Sequence, residues 1–236
     1  MAELRLLTYN VRSLHDDADA VAAVIRACEP DVVAVQEAPR MMRWRSKRAA
    51  LARKSGLVVA TADRPGGLFV MTSMAVGVVS TRFALLPKAP KLHQRAVAAA
   101  DVELRGGRWT VASVHFSLDP DERSRHLEPL LDAVAGAAAA PLVLAGDLNE
   151  EPDGPVWQSL ATRFQDAYAV APDGPAETFT ARNPRRRIDA VFAEPSVEVV
   201  ACHAVDGVAS AGAPGLTRDL LVAASDHLPV LAVLRQ

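Results

Sequence analysis

The feature that most constrains this chain is a repeated pattern of short apolar runs, rich in Val, Leu and Ala, each too short for a buried helix and each closed by polar or turn-forming residues. They are Arg5–Thr8, Val32–Gln36, Ala75–Ser80, Val97–Leu104, Trp109–His115, Leu142–Ala145, Ile188–Phe192, Val197–His203 and Leu228–Leu234. Nine such runs predict one large sheet or a pair of sheets. Between the first two, Ala18, Val21, Val24 and Ile25 fall on one helical face, and Glu29-Pro30 ends the pattern, so the opening unit reads strand, helix, strand. A second helix is expected from Pro120, capped by Asp119 with Glu122 three residues on, and a short third one carries Val156, Trp157 and Leu160.

Nothing divides residues 1–236 by composition, so one domain is expected, with a mobile loop over Ala204–Asp219. Half of the residues are hydrophobic, enough for a large core, and 26 basic against 28 acidic side chains leave a net charge of −2. That balance offers no global attraction to nucleic acid or anionic membrane, so any polyanion must be bound locally. Cys28 and Cys202 have no metal-type spacing and are expected to be reduced. The first residues lack the pattern of a secretory signal and no apolar stretch is long enough to span a bilayer; a cytoplasmic monomer is the expectation.

Polar residues that carry chemistry stand just past the strand ends, where loops converge. Thr8-Tyr9-Asn10 follows the first strand, Gln36-Glu37 the second, and Gly146-Asp147-Leu148-Asn149 the run Leu142–Ala145. Alternation would place Asp147 and Asn149 on one side of an extended chain. Ser225-Asp226-His227 precedes the last strand and joins a carboxylate to the side chain that titrates nearest neutrality. With Val114-His115 and Arg187-Ile188-Asp189 added, this ordered set resembles the motifs of the endonuclease/exonuclease/phosphatase superfamily, and the likeness runs from residue 8 to residue 230.

The resemblance implies an α+β fold, a four-layer α/β/β/α sandwich with two mixed β-sheets packed face to face. It implies hydrolysis of a phosphodiester or phosphomonoester by a metal-assisted, activated water, with one or two Mg²⁺ (or Mn²⁺) ions. Glu37, Asn10 and Asp226 would hold the metal; oxygen donors suit a hard cation, and no soft ligand cluster suggests zinc. Asp147 would deprotonate the water beside Asn149, His227 would contact the phosphoryl oxygen with Asp189 orienting it, and His115 would be a second phosphate-contacting histidine. One departure stands out. Deoxyribonuclease I-like members orient that second histidine with an upstream glutamate, yet no Asp or Glu occurs from Arg64 to Ala100.

For the substrate, Arg40–Lys54 carries seven basic residues and no acidic one, with Trp44 available for stacking on a nucleic acid base or Met41, Trp44 and Leu51 available to the core. Arg187 and Arg218 are the other candidate phosphate contacts, and the resemblance places Gly66-Gly67 and the loop Ala204–Asp219 where the family varies its substrate specificity. His15, His93, His126 and His203 match no motif and are expected to be structural or on the surface. The competing reading is a non-catalytic binding module on the same fold, which would have no need of all seven of Asn10, Glu37, Asp147, Asn149, Asp189, Asp226 and His227. A serine hydrolase is excluded by the lack of a Gly-x-Ser-x-Gly elbow.

Overall fold

A computed structural model describes residues 1–135, 140–207 and 215–236. The strands among them are β1 (Glu3–Asn10), β2 (Val32–Gln36), β3 (Val58–Val59), β4 (Phe69–Thr72), β5 (Gly77–Leu85), β6 (Ala96–Leu104), β7 (Gly107–His115), β8 (Leu142–Asp147), β9 (Gln165–Asp166), β10 (Asp189–Ala193), β11 (Glu198–Ala204) and β12 (Val230–Arg235). The α-helices are α1 (Ala18–Ala27), α2 (Trp44–Ser55), α3 (Pro120–Val134), α4 (Pro155–Ala161), α5 (Ala167–Val170) and α6 (Arg218–Ala224). The first sheet runs β11-β12-β1-β2-β4-β3 and the second β5-β6-β7-β8-β10-β9. Each is mixed, with one parallel pair at its centre, β1 with β2 and β7 with β8, and antiparallel neighbours outside.

Both parallel pairs are joined through a helix whose start is written locally. Asp17 accepts from the backbone of Asp19 and Ala20 at the head of α1, and Asp119 accepts from Glu122 at the head of α3, where Pro120 needs no N–H partner. Helices α1, α2 and α6 cover the first sheet, α3 and α4 the second, which makes four layers.

Period-two alternation then sorts each strand between layers. Leu4 and Leu6 of β1, Val32 and Ala34 of β2, Val111 of β7, Val143 and Ala145 of β8, and Val191 and Ala193 of β10 share the layer between the sheets. Leu7, Tyr9, Val33 and Val35 face α1, while Leu142, Leu144, Ala190 and Phe192 face α3 and α4. Burial on both faces is why these strands read as continuous apolar runs. Followed along each strand, the inward set ends in polar side chains: Thr8 and Asn10, Gln36, Ser113 and His115, Asp147 and Asp189. At this end Gln36 links the sheets, its amide donating to Ser113 Oγ at 3.1 Å while Ser113 Oγ donates to the Val35 carbonyl at 2.9 Å.

All nine expected strands are present, with β3, β4 and β9 in addition. The run placed at Ala75–Ser80 is β5, shifted to Gly77–Leu85; as an edge strand it leaves Val78 and Val79 exposed and is held by Arg82 on Asp101 at 2.9 Å, so hydrophobicity does not mark its ends. Of the loop expected over Ala204–Asp219, residues 208–214 lie outside the described residues, and Arg218 and Asp219 already belong to α6, capped by Thr217. In α2, Leu51 is buried and so is the long side chain of Arg48, whereas Met41, ahead of the helix, is 76 % exposed. No described helix is long and apolar enough to cross a membrane.

Candidate active site

The two parallel pairs and the starts of β10 and β12 deliver their polar residues to one edge of the sandwich. Asn10 ends β1 and Glu37 follows β2; His115 and Asp147 end β7 and β8 as paired neighbours in the ladder. Asp189 opens β10 directly opposite Asp147, and Asp226-His227 lead into β12. Glu37, His115, Asp147, Asp226 and His227 line a cleft of about 350 Å³, with Asn10 and Asp189 buried behind them.

At its floor, Asn10 donates from one amide nitrogen to Glu37 Oε1 at 3.2 Å and to Asp147 Oδ2 at 3.0 Å, while its Oδ1 accepts from the Arg12 backbone at 3.0 Å. A neutral amide thus spaces two carboxylates that would otherwise repel. Glu37 adopts φ +50, and Ala38 N–H bonds to the Gly67 carbonyl, so the chain turns sharply to aim the carboxylate at the cleft. Asp147 and Asn149 do come together, but not by alternation: Asn149 has φ +52, and its N–H closes an Asx turn on Asp147 Oδ1 at 2.9 Å. Its side-chain amide bonds to the Phe116 carbonyl and contacts His115 Nε2, each at 3.1 Å.

Across the seam, His227 Nδ1 lies 2.9 Å from Asp189 Oδ2, and its Nε2 lies 3.9 Å from Asp147 Oδ2. Burial alone would lower this imidazole, but the Asp189 charge and hydrogen bond, with Asp147 and Asp226, outweigh it and raise its pKa to about 10. Burial and the nearby Asp189 push Asp147 up to about 7, against His227 and the Asn149 and Asn10 hydrogen bonds. His115 moves the other way, well below its usual value, because it is buried among Arg95, His227 and Arg40. The buried cluster therefore favours the charged form of His227, the protonated form of Asp147 more than is usual for a carboxylate, and the neutral form of His115. Ser225 fixes the Asp226-His227 segment by donating to the Asn10 carbonyl at 2.8 Å, and the Phe179 ring packs 4.9 Å from that of His227.

The missing partner of His115 is resolved by position. Its Nδ1 is buried without a partner among the described residues, while Nε2 lies 3.3 Å from Asp147 Oδ2 beside Asn149, so this ring is oriented from the β8 side.

Asp147, Asp189 and His227 bring ligand atoms within 4.8 Å of one another, close enough to hold a divalent cation, with His227 as a ligand only in its neutral form. Glu37 and Asp226 line the mouth, where Asp226 lies 3.5 Å from Arg12 Nε. The donor set is carboxylate-rich, and Asp189 Oδ1 is buried with no partner among the described residues, as suits a hard cation. The thiols of Cys28 and Cys202 are buried, each pushed up to about 12 by that burial, and take no part.

The expected substrate contacts fare differently. Arg187 does not line the cleft; it pairs with Asp166 and stacks over Trp157 and Tyr168, 4.6 and 5.0 Å from the ring centres. Arg218 donates to the Ala181 carbonyl at 3.2 Å and is likewise absent from the lining. Trp44 has its ring beneath Arg45 and against Arg48, at 4.4 and 4.9 Å, rather than free for a base. Arg40, Arg95 and Arg186 line the cleft instead, as does His93, which stands exposed at its rim. Arg48 shapes that wall from behind, donating to the carbonyls of Pro39, Asp63 and Leu68; burial lowers its pKa to about 10. His126 is buried, with Nε2 2.8 Å from the Pro87 carbonyl, His203 is buried and His15 exposed.

The profile of the endonuclease/exonuclease/phosphatase family matches residues 7–227. Comparison with curated proteins gives no match in sequence. Among solved structures, an endonuclease/exonuclease/phosphatase from Beutenbergia cavernae is 27 % identical with a TM-score of 0.70, covering 100 % of this chain and 72 % of its own. One from Bacteroides vulgatus is 20 % identical with a TM-score of 0.78, over 100 % and 99 % of the two chains. A mannosyl-6-phosphatase from Bacteroides thetaiotaomicron is 16 % identical with a TM-score of 0.78, over 99 % and 100 %.

Proposed function

Because the chain belongs to the endonuclease/exonuclease/phosphatase family, we propose that it is a divalent-metal-dependent hydrolase of phosphate esters using Mg²⁺ or Mn²⁺. The observation that carries this reading is the seam where Asp189 holds His227 facing Asp147, while Asn10 ties Asp147 to Glu37.

Glu37 and Asp226 would bind the cation or cations, with Asn10 holding Glu37 in place and the Asp147 and Asp189 carboxylates beside them. A bound cation offsets charge on the phosphoryl oxygens and favours ionisation of an attacking water. Asp147, buried and raised towards neutrality, accepts a proton from that water, and the Asx turn with Asn149 fixes the direction from which it does so. His227 presents Nε2–H to a phosphoryl oxygen because Asp189 occupies Nδ1 and keeps the ring charged. Neutral His115 and the Asn149 amide offer hydrogen bonds on the other flank.

The test is hydrolysis of p-nitrophenyl phosphate, bis-p-nitrophenyl phosphate and plasmid DNA with Mg²⁺, Mn²⁺ or chelator, by the wild type and by Glu37→Ala and Asp147→Ala. Turnover that needs metal and falls by at least 10²-fold in both variants is expected for a lost metal ligand and a lost base. Activity that survives chelation, or none on any phosphoester, returns the weight to a binding module on this fold.

A further inference from the structure

The cations of the cleft are unevenly placed. Arg95 ends the loop before β6 and is only 9 % exposed, yet it has no carboxylate within ion-pair distance, and its Nε is buried without a hydrogen-bond partner among the described residues. Buried guanidinium groups are ordinarily paired, since a buried charge left unpaired is strongly destabilising. Arg40 and His93 line the same cleft and are also without an ion pair there.

Burial lowers the Arg95 pKa and Arg40 adds to this, against the Asp147, Glu37 and Glu122 charges, while Arg95, Arg40 and His93 each disfavour the charged form of His115. Arg40 is held in this crowd by the turn at Gly66-Gly67. A methyl group on Gly66 would meet Ala96 Cβ at 2.6 Å, and one on Gly67 would meet the Ala38 carbonyl and Arg40 Cδ at 3.3 Å, so both positive-φ glycines let the turn close against β6 and Arg40. A built gathering of like charges, with an unpartnered buried arginine in its midst, is an anion site.

Arg95 shares the cleft with Glu37, Asp147, Asp226 and His227 and is favoured by the Asp147 and Glu37 charges, yet it forms an ion pair with neither, so with Arg40 and His93 it adds basic groups beyond those that would meet the scissile phosphate. Trp44 does not line the cleft, and a space of about 350 Å³ suits a small molecule.

We propose that Arg95, Arg40 and His93 form a second phosphate subsite, and that the substrate is a small molecule carrying a phosphate group besides the one hydrolysed. This rests on the phosphoesterase reading above. The test compares Mg²⁺-loaded wild type, Arg95→Gln and Arg40→Gln on the matched pair glucose 1,6-bisphosphate and glucose 6-phosphate by phosphate release. It also titrates inorganic pyrophosphate calorimetrically into each protein in chelator.

The wild type should favour the bisphosphate in kcat/KM by at least 10-fold, and each substitution should bring that ratio towards one, since a charge-assisted bond to phosphate carries a factor of roughly 10 to 100. Pyrophosphate affinity should fall by a similar factor in both variants. A wild-type ratio near one, or a ratio that neither substitution changes, overturns the subsite while leaving the phosphoesterase standing. Loss of both substrates in equal measure in both variants overturns it too, because the arginines would then act on the carboxylate cluster. Absence of any hydrolysis, with pyrophosphate binding that Arg95→Gln removes, defeats the enzymatic reading and keeps the anion site; absence of binding in the wild type defeats the subsite as well.

Discussion

Gly146 should be irreplaceable for a reason that lies outside the chemistry. It precedes Asp147 in β8 and pairs in register with Val114 of the parallel neighbour β7. A Cβ on it would stand 1.9 Å from the Val114 carbonyl oxygen and 2.9 Å from Val114 Cγ2. Carbon and oxygen settle at about 3.3–3.6 Å, so in Gly146→Ala the two central strands must part by more than about 1 Å. The neighbouring pair is His115 with Asp147, so the displacement reaches the base, its Asn10 bond and the imidazole at once. Overpacking of this kind costs about 1–3 kcal/mol, which for a chain of this size lowers Tm by roughly 2–12 °C. A misplacement near 1 Å at a reacting group costs on the order of 10²-fold in kcat. Scanning calorimetry and steady-state kinetics on the best substrate of the panel measure both. Gly77→Ala is the control, because a Cβ there meets only ordinary contacts at 3.8 Å on the edge strand. Wild-type kcat and Tm in Gly146→Ala would refute the steric argument.

The Asp147 carboxyl is raised in the folded state, so its contribution to stability is full below the unfolded value near 3.8 and is lost as pH rises through about 7. In chelator, Asp147→Asn should therefore melt higher than wild type at pH 8 and level with it near pH 4, while losing turnover; a pH-independent difference would contradict this. Glu150 accepts from buried Arg123 at 3.0 Å and from the Trp157 backbone at 2.8 Å, joining α3 and α4 behind the site. Glu150→Ala strands that arginine and should cost about 3–5 kcal/mol in urea unfolding, whereas Arg123→Met with Glu150→Leu should recover much of the loss. Arg187→Met should lower Tm through its lost pairing with Asp166 and leave KM unchanged, and a raised KM at wild-type stability would return Arg187 to the substrate.

The site was legible where chemistry and alternation coincide. Asn10, His115, Asp147 and Asp189 continue the inward-facing set of their strands, so each apolar run already points its last side chain to the same edge. Asn149 and Glu37 depart from that rule because both enter the left-handed region, which hydrophobic spacing does not report. Arg95 was missed because Gln94-Arg95 belongs to no motif, and its meaning lies in burial without a partner. Arg187 misled for the opposite reason: a basic run beside Asp189 suggests phosphate, yet in the segment before β10 Arg186 lines the cleft while Arg187 pairs with Asp166. Of the unforeseen strands, β3 and β9 have two residues each, too few for any periodicity, whereas β4, with Phe69, Val70 and Met71 after two glycines, carried a readable signal.

The two sheets meet like the covers of a book, and the polar residues lie along the open edge. One cover carries Asn10, Glu37 and His227, the other His115, Asp147 and Asp189, and the bonds Asn10 to Asp147 and His227 to Asp189 cross from cover to cover. The distances across the proposed site are thus set by the thickness of the pages. Changing the bulk of Leu6, Val111 or Val143, deep toward the spine, alters the splay and is magnified at the edge. In such a molecule remoteness from the reacting atoms gives no immunity, and the inner leaves are where its rate can be tuned without touching a single polar group.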